Sequence, residues 1–279
     1  MRRLLGIGIL LLGALLGSAG CDCAGEPQGE WQAVGTGLRE ALLAVHGTSA
    51  RDVYAVGSDK GNGPAVWHFD GEGWERLATG TRGDLWWVHA FEGGPVFMGG
   101  ALGTILRYEG GAFTRMPVPG LARHTIFGIW GRSPSDVYAV GSLVGRNGFI
   151  WHFDGAAWTE VAVPDGLPQD DWHDVPGFFK VWGDDQDVWV VGGRGVLLRS
   201  TAGGPFEIVA SGTDATLFTV HASSGQVAAV GGGGNGVLVE ESAGTWASHG
   251  PDAIPLLQGL CLGADGRGYA TGFHGLVLE

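Results

Sequence analysis

Asp52-Val53-Tyr54-Ala55-Val56-Gly57 recurs as Asp136-Val137-Tyr138-Ala139-Val140-Gly141 and again as Asp187-Val188-Trp189-Val190-Val191-Gly192. Weaker copies are Val96 to Gly100, Gln226 to Gly231 and Gly268 to Gly272. Each copy follows an apolar segment with an anchor at the same place: Val45, Val88, Ile129, Val181, Val220 and Leu260. The anchors are spaced by 43, 41, 52, 39 and 40 residues. A period of about 40–45 residues is that of a four-stranded propeller blade.

One unit reads as four strands: Leu42 to His46, Val53 to Val56, Ala65 to Phe69 and Trp74 to Leu77. The first three are nearly continuous apolar runs, as expected of strands covered on both faces by neighbouring sheets. The turn into the fourth strand repeats as Asp70-Gly71-Glu72-Gly73-Trp74 and Asp154-Gly155-Ala156-Ala157-Trp158. The three asparagines, Asn62, Asn147 and Asn235, all precede glycine between the second and third strands, a strong hairpin signal. The sixth unit runs out after its third strand, at Leu276 to Glu279. Trp31 to Val34 reads as a fourth strand without a blade. The expected fold is therefore an all-β, six-bladed propeller of four-stranded blades, closed by the N-terminal strand pairing in the last blade. A shortened seven-bladed ring is the competing count.

Composition agrees. The 54 glycines among 279 residues show no G-X-Y period, so they mark tight turns rather than collagen. A net charge of −13 repels phosphate backbones and argues against a nucleic-acid partner.

These units resemble the D-V-Y-A-V-G repeats of bacterial exported β-propeller lipoproteins, and more loosely the BNR and Asp-box repeats of sialidase-like propellers. The resemblance covers Trp31 to Glu279. It implies the architecture and leaves the activity open, because propellers host binding, scaffolding and catalysis alike. Most copies of the turn lack the leading serine of a full Asp-box.

The first twenty residues read as a signal peptide: Met1-Arg2-Arg3, an apolar run from Leu4 to Leu16, then small residues. Ser18-Ala19-Gly20-Cys21 resembles a lipobox, which implies lipidation at Cys21. Residues 21–28 then form a tether and 29–279 the propeller. The expected address is the bacterial cell envelope, lipid-anchored on the periplasmic or surface side. Three cysteines (Cys21, Cys23, Cys261) do not suggest a disulfide framework.

His46, His89 and His221 share a slot with Trp130, Trp182 and Cys261, so they read as inter-blade packing rather than as metal ligands. His68 and His152, with Arg107 and Arg199 in the equivalent slot, read as packing or blade-surface residues. Trp31, Trp74, Phe113, Trp158, Phe206 and Trp246 read as repeated packing in the fourth strand.

One feature exceeds the repeat: the connection Pro164 to Gly177 between blades 3 and 4. It carries Asp165, Asp170, Asp171, Trp172, His173 and Asp174. With Arg146, Arg194 and His274 on the same expected face, Asp170, Asp171, Trp172, His173 and Asp174 are the candidate ligand-binding residues. No cofactor is expected. A Ca²⁺ ion on the acidic insert is the alternative, without the D-x-D-x-D-G spacing of a calcium loop.

No nucleophile elbow, H-E-x-x-H or P-loop occurs, so no catalytic residue is assigned. The expected function is a monomeric, lipid-anchored propeller binding a protein or polysaccharide. The alternatives are a carbohydrate-active or other hydrolytic propeller using the 164–177 insert, and an envelope assembly scaffold.

Overall fold

The computed structural model describes residues 38–120, 122–143, 146–169, 174–242, 244–249 and 253–279. They form an all-β, six-bladed propeller. Every sheet is an antiparallel meander taken in chain order. Blade 1 is Leu42–Ser49, Asp52–Asp59, Pro64–Phe69 and Trp74–Arg76. Blade 2 spans Leu85–Ala90 to Ala112–Arg115, and blade 3 His124–Ser133 to Trp158–Val161. Blade 4 spans Phe178–Gly183 to Glu207–Ile208, and blade 5 Leu217–Ser223 to Thr245–His249. Blade 6 has three strands among the described residues, Leu257–Leu262, Gly268–Gly272 and Val277–Leu278. The strand expected at Trp31 to Val34 lies outside them.

The first strands of successive blades touch one another, which places them innermost, around the channel. Five of the six anchors pack into the preceding blade. Val88 lies with Tyr54, Val56 and Val66 of blade 1, and Ile129 with Phe97 and Ile105 of blade 2. Val181 joins Val140 and Ile150, Val220 joins Trp189 and Leu197, and Leu260 packs against Val230. Val88, Ile129, Val181 and Val220 are buried, whereas Val45 is 62% exposed. The fourth-strand aromatics also bridge blades, Trp158 meeting Phe97, Phe206 meeting Tyr138 and Trp246 meeting Trp189.

The polar letters of the motif have partners. Asp52 takes hydrogen bonds from Thr48 and from His68 Nε2 at 2.8 Å, and Tyr54 stacks on His68. Asp136 repeats this with Arg132 and His152, and Asp187 with Arg199 and Thr201. The third-strand histidines and Arg199 thus complete the blade edge. Burial alone would raise Asp52, Asp136 and Asp187, but these donors hold all three below the usual aspartate range. Asp70 and Asp154 close the next turn by accepting two backbone N–H bonds each.

The final glycine of the motif has a different cause. In all six blades the pairing of first and second strands slips by one residue. Leu42 faces Gly57 but Ala44 faces Val56, and the same slip recurs at Leu85/Trp87, Ile126/Gly128, Phe178/Lys180, Leu217/Thr219 and Leu257/Gly259. Each slip is a β-bulge, whose extra residue leaves the ladder and whose side chain is re-aimed. It brings the first strand's backbone against the glycine. A Cβ on Gly57, Gly100, Gly141, Gly231 or Gly272 would overlap the carbonyl of Ala41, Asp84, Thr125, Thr216 or Leu256.

Candidate functional site

The bulged residues are Leu43, Trp86, Phe127, Phe179, Phe218 and Gln258. They sit at the start of the innermost strands, so they ring one mouth of the channel. Four of them form an unbroken aromatic arc across blades 2 to 5. Trp86 meets Phe127 at 5.5 Å between ring centroids, Phe127 meets Phe179 at 5.5 Å, and Phe179 meets Phe218 at 5.3 Å. Leu43 and Gln258 occupy the same position in blades 1 and 6, and both are exposed. Trp86 is 37% exposed, unusual for a tryptophan on an innermost strand. Trp86 is exposed while Phe127, Phe179 and Phe218 are half-buried, so the collar presents a contiguous, partly exposed aromatic surface at the channel mouth.

The collar shares its face with the turns between second and third strands. In blades 2, 4 and 6 these turns place Leu102, Arg194 and His274 in the left-handed region, at φ of 61°, 55° and 61°. A side chain there is strained, and such strain concentrates at functional sites. Leu102 and Phe273 add exposed apolar surface to the same face.

Of the residues expected from sequence, Arg146, Arg194, His274 and Asp174 all lie on this face, in blades 3, 4 and 6 and in the insert. Arg146 and Asp174 form an ion pair at 3.6 Å. Arg194 and His274 project from separate turns around the ring, so the four do not converge on one point. Asp170, Asp171, Trp172 and His173 lie outside the described residues. The described ends of the insert are anchored: Leu167 is buried with Phe178 and Phe206, and Asn147 N–H donates to Val175 O at 2.7 Å.

Deeper in the channel lies the slot just before each anchor, filled by Ala44, Trp87, Gly128, Lys180, Thr219 and Gly259. Lys180 is 6% exposed, and its Nζ sits 2.8 Å from the centroid of the Trp87 ring, two blades away. Burial pushes its amine well below the ordinary lysine range. Further down, the slot of His46, His89, Trp130, Trp182, His221 and Cys261 stitches blade to blade. Ala90 N–H donates to His46 Nδ1, Leu262 N–H to His221 Nδ1, and Trp182 Nε1–H to Ala222 O. His46 stacks near His89, and Trp182 on His221. Burial lowers His46 and His221 to about 4, helped by the charge of Lys180, and lowers His89 to about 3. The slot is therefore packing, as its tolerance for tryptophan suggests. Cys261 corrects the sequence reading, because it is disulfide-bonded. A fixed cysteine is not visible in spacing, which only counts residues along the chain.

The collar was missed in the sequence. Its signal is a large apolar residue two places before the anchor, in five of six units, beside strand positions already filled with core residues.

No family model matches the chain. The immune protein Tsi7 of Pseudomonas aeruginosa PAO1 is 34% identical over 88 residues, 29% of this chain and 28% of that protein. Among solved structures, YCF48 bound to D1 peptide superposes with a TM-score of 0.63 at 16% identity, over 88% of this chain and 80% of that one. An ancestral GH74 enzyme gives 0.63 at 15% identity, over 88% of this chain and 36% of that one. YCF48 from Cyanidioschyzon merolae gives 0.58 at 18% identity, over 84% and 77%. At these identities the likeness shows the propeller fold.

Proposed function

We propose that this is a non-catalytic binding propeller that captures a protein partner on the collar face, held in the cell envelope by a lipid on Cys21. The observation that carries the reading is the collar itself. Six bulges aim side chains at one opening, and the arc they build there, with Trp86 exposed and the three phenylalanines half-buried, offers the aromatic anchors on which protein interfaces rely. Two further findings favour binding over hydrolysis. Asp52, Asp59, Asp70, Asp136, Asp154 and Asp187 are all held below the usual aspartate range, whereas a general acid needs a raised value. The partial relative carries the name of an immune protein, and one structural neighbour holds a peptide.

The test is capture from envelope extract by the full chain, followed by titration of the purified captured protein. Trp86→Ala combined with Phe179→Ala should weaken that binding by about 100-fold or more, since two anchors are removed. The melting temperature should change little. A polysaccharide retained instead of a protein, or equal binding by the variant, would refute the reading.

The anchor is tested separately. Cys21→Ser should release the protein from membranes into the soluble fraction or block processing of its leader. Radiolabelled fatty acid should mark the wild type alone. Unlabelled wild type that stays on membranes would rule the lipid out.

A further inference from the structure

Lys180 is a buried cation, and buried cations are ordinarily paired. Its position is set by the repeat. Between blades 4 and 2 the equivalent slot of blade 3 is Gly128, which has no side chain, so the lysine stem reaches over it to Trp87. His46 of blade 1 and His221 of blade 5 both feel its charge, so the amine lies inside the ring of first strands. Among the described residues Nζ rests on the ring of Trp87 and forms no ion pair with a carboxylate. The indole N–H of the same Trp87 is also buried without an acceptor. Two donor groups thus stand together beneath the collar, the indole N–H without an acceptor and the amine against the ring face.

We propose that this pair is a carboxylate site. A carboxylate on a short apolar stem passes the collar of Trp86, Phe127, Phe179 and Phe218, and its oxygens accept from Lys180 Nζ and Trp87 Nε1. The stem fills the aromatic arc, and the single negative charge matches the single cation. A phosphate group would bring more charge and more acceptor oxygens than these two donors satisfy. This inference rests on the binding reading above and names the group recognised. A chain-terminal carboxylate of the partner and a free aryl acid offer the same chemistry.

Calorimetric titration of the full chain decides it, with four probes. They are 3-phenylpropionate, its amide, and an N-acetylated tripeptide ending in phenylalanine with a free or an amidated C-terminus. The acids should bind and the amides should not. Binding of the peptide acid assigns the source to a chain end, and binding of the small acid alone assigns it to a free metabolite-sized acid. Lys180→Met, similar in shape without the charge, should weaken acid binding at least about 30-fold. Trp87→Phe, which keeps the ring but not the N–H, should weaken it by about five- to tenfold. Lys180→Gln replaces the methionine variant if that one melts early.

Equal binding of acids and amides, absence of acid binding to the wild type, or unchanged binding by Lys180→Met would overturn the site. Failure of the two readings is separable. If the collar variant loses the captured protein while no acid binds, the binding face stands and the carboxylate site falls. If the collar variant keeps its partner, the binding face falls, and the acid titrations still decide the site.

Discussion

Gly231→Ala is expected to leave little folded protein. The new Cβ would overlap Thr216 O, and Leu217 Cα and Thr216 C would also stand closer, at 2.8 Å, than real Cβ contacts allow. The carbonyl cannot withdraw, because it accepts the N–H of Gly232 at 2.8 Å, the bond that restarts the ladder after the bulge. Gly57→Ala meets the same obstacle, Ala41 O being held by Ser58 N–H at 2.9 Å. Relief requires unwinding the bulge, which turns the innermost strand over and takes an anchor such as Val220 out of the neighbouring blade. Either substitution should cost more than about 4 kcal/mol, in the range reserved for named backbone and packing defects. Gly73→Ala and Gly234→Ala are the controls, having open space and no left-handed backbone. They should change stability by less than about 1 kcal/mol. Denaturant unfolding measures the difference. Near-equal midpoints for Gly231→Ala and Gly73→Ala would mean that the bulge is dispensable.

The second large effect is acid lability. His46, His89 and His221 are held neutral by burial, with folded values of about 4, 3 and 4 against 6.5. Below pH 6.5 the unfolded chain takes up protons that the folded chain refuses, so stability falls as pH falls from 6.5 towards 4. The shift of His46 alone corresponds to about 3 kcal/mol. Lys180, also lowered, adds a slope of the same sign from its depressed value up to about 10.5, so stability keeps rising gently above neutrality. Asp52, Asp136 and Asp187 act in the same direction at lower pH, their stabilisation disappearing as pH falls through their depressed values. Urea midpoints measured from pH 4 to 8 should drop steeply between 6.5 and 4.5. His89→Phe, in a slot that already accepts Trp130 and Trp182, should make that drop shallower. A flat profile would show that the three rings are solvated rather than buried.

The architecture was legible because the second strand is written almost identically three times, with the period of one blade. The blade edge was half legible: His68 and His152 stood out as packing residues, but their pairing with Asp52 and Asp136 needs two strands side by side. The collar was hidden for a physical reason. A bulge leaves no mark on composition, so Trp86 or Phe179 reads as one more apolar residue in a buried strand. The glycine opposite carried the information, since Gly57, Gly141 and Gly192 end motifs that otherwise favour β-branched and aromatic residues. Lys180 and Trp87 are 93 positions apart and meet only when the ring folds. Their slot could still have been singled out, because it varies from alanine to tryptophan to lysine while its neighbours repeat. The insert drew notice by length, yet its described ends are partly framework, through Leu167 and Val175.

A residue squeezed out of the ladder by a bulge owes the sheet nothing. Its side chain supports no strand pairing and lies outside the inter-blade cores, so its identity is set by its neighbours in the collar and by whatever approaches the channel. Positions 43, 86, 127, 179, 218 and 258 are thus six letters that selection, or an engineer, can rewrite one at a time while the glycine clasp beneath keeps each of them aimed. Two copies of this scaffold could differ completely in what they grip and still melt together.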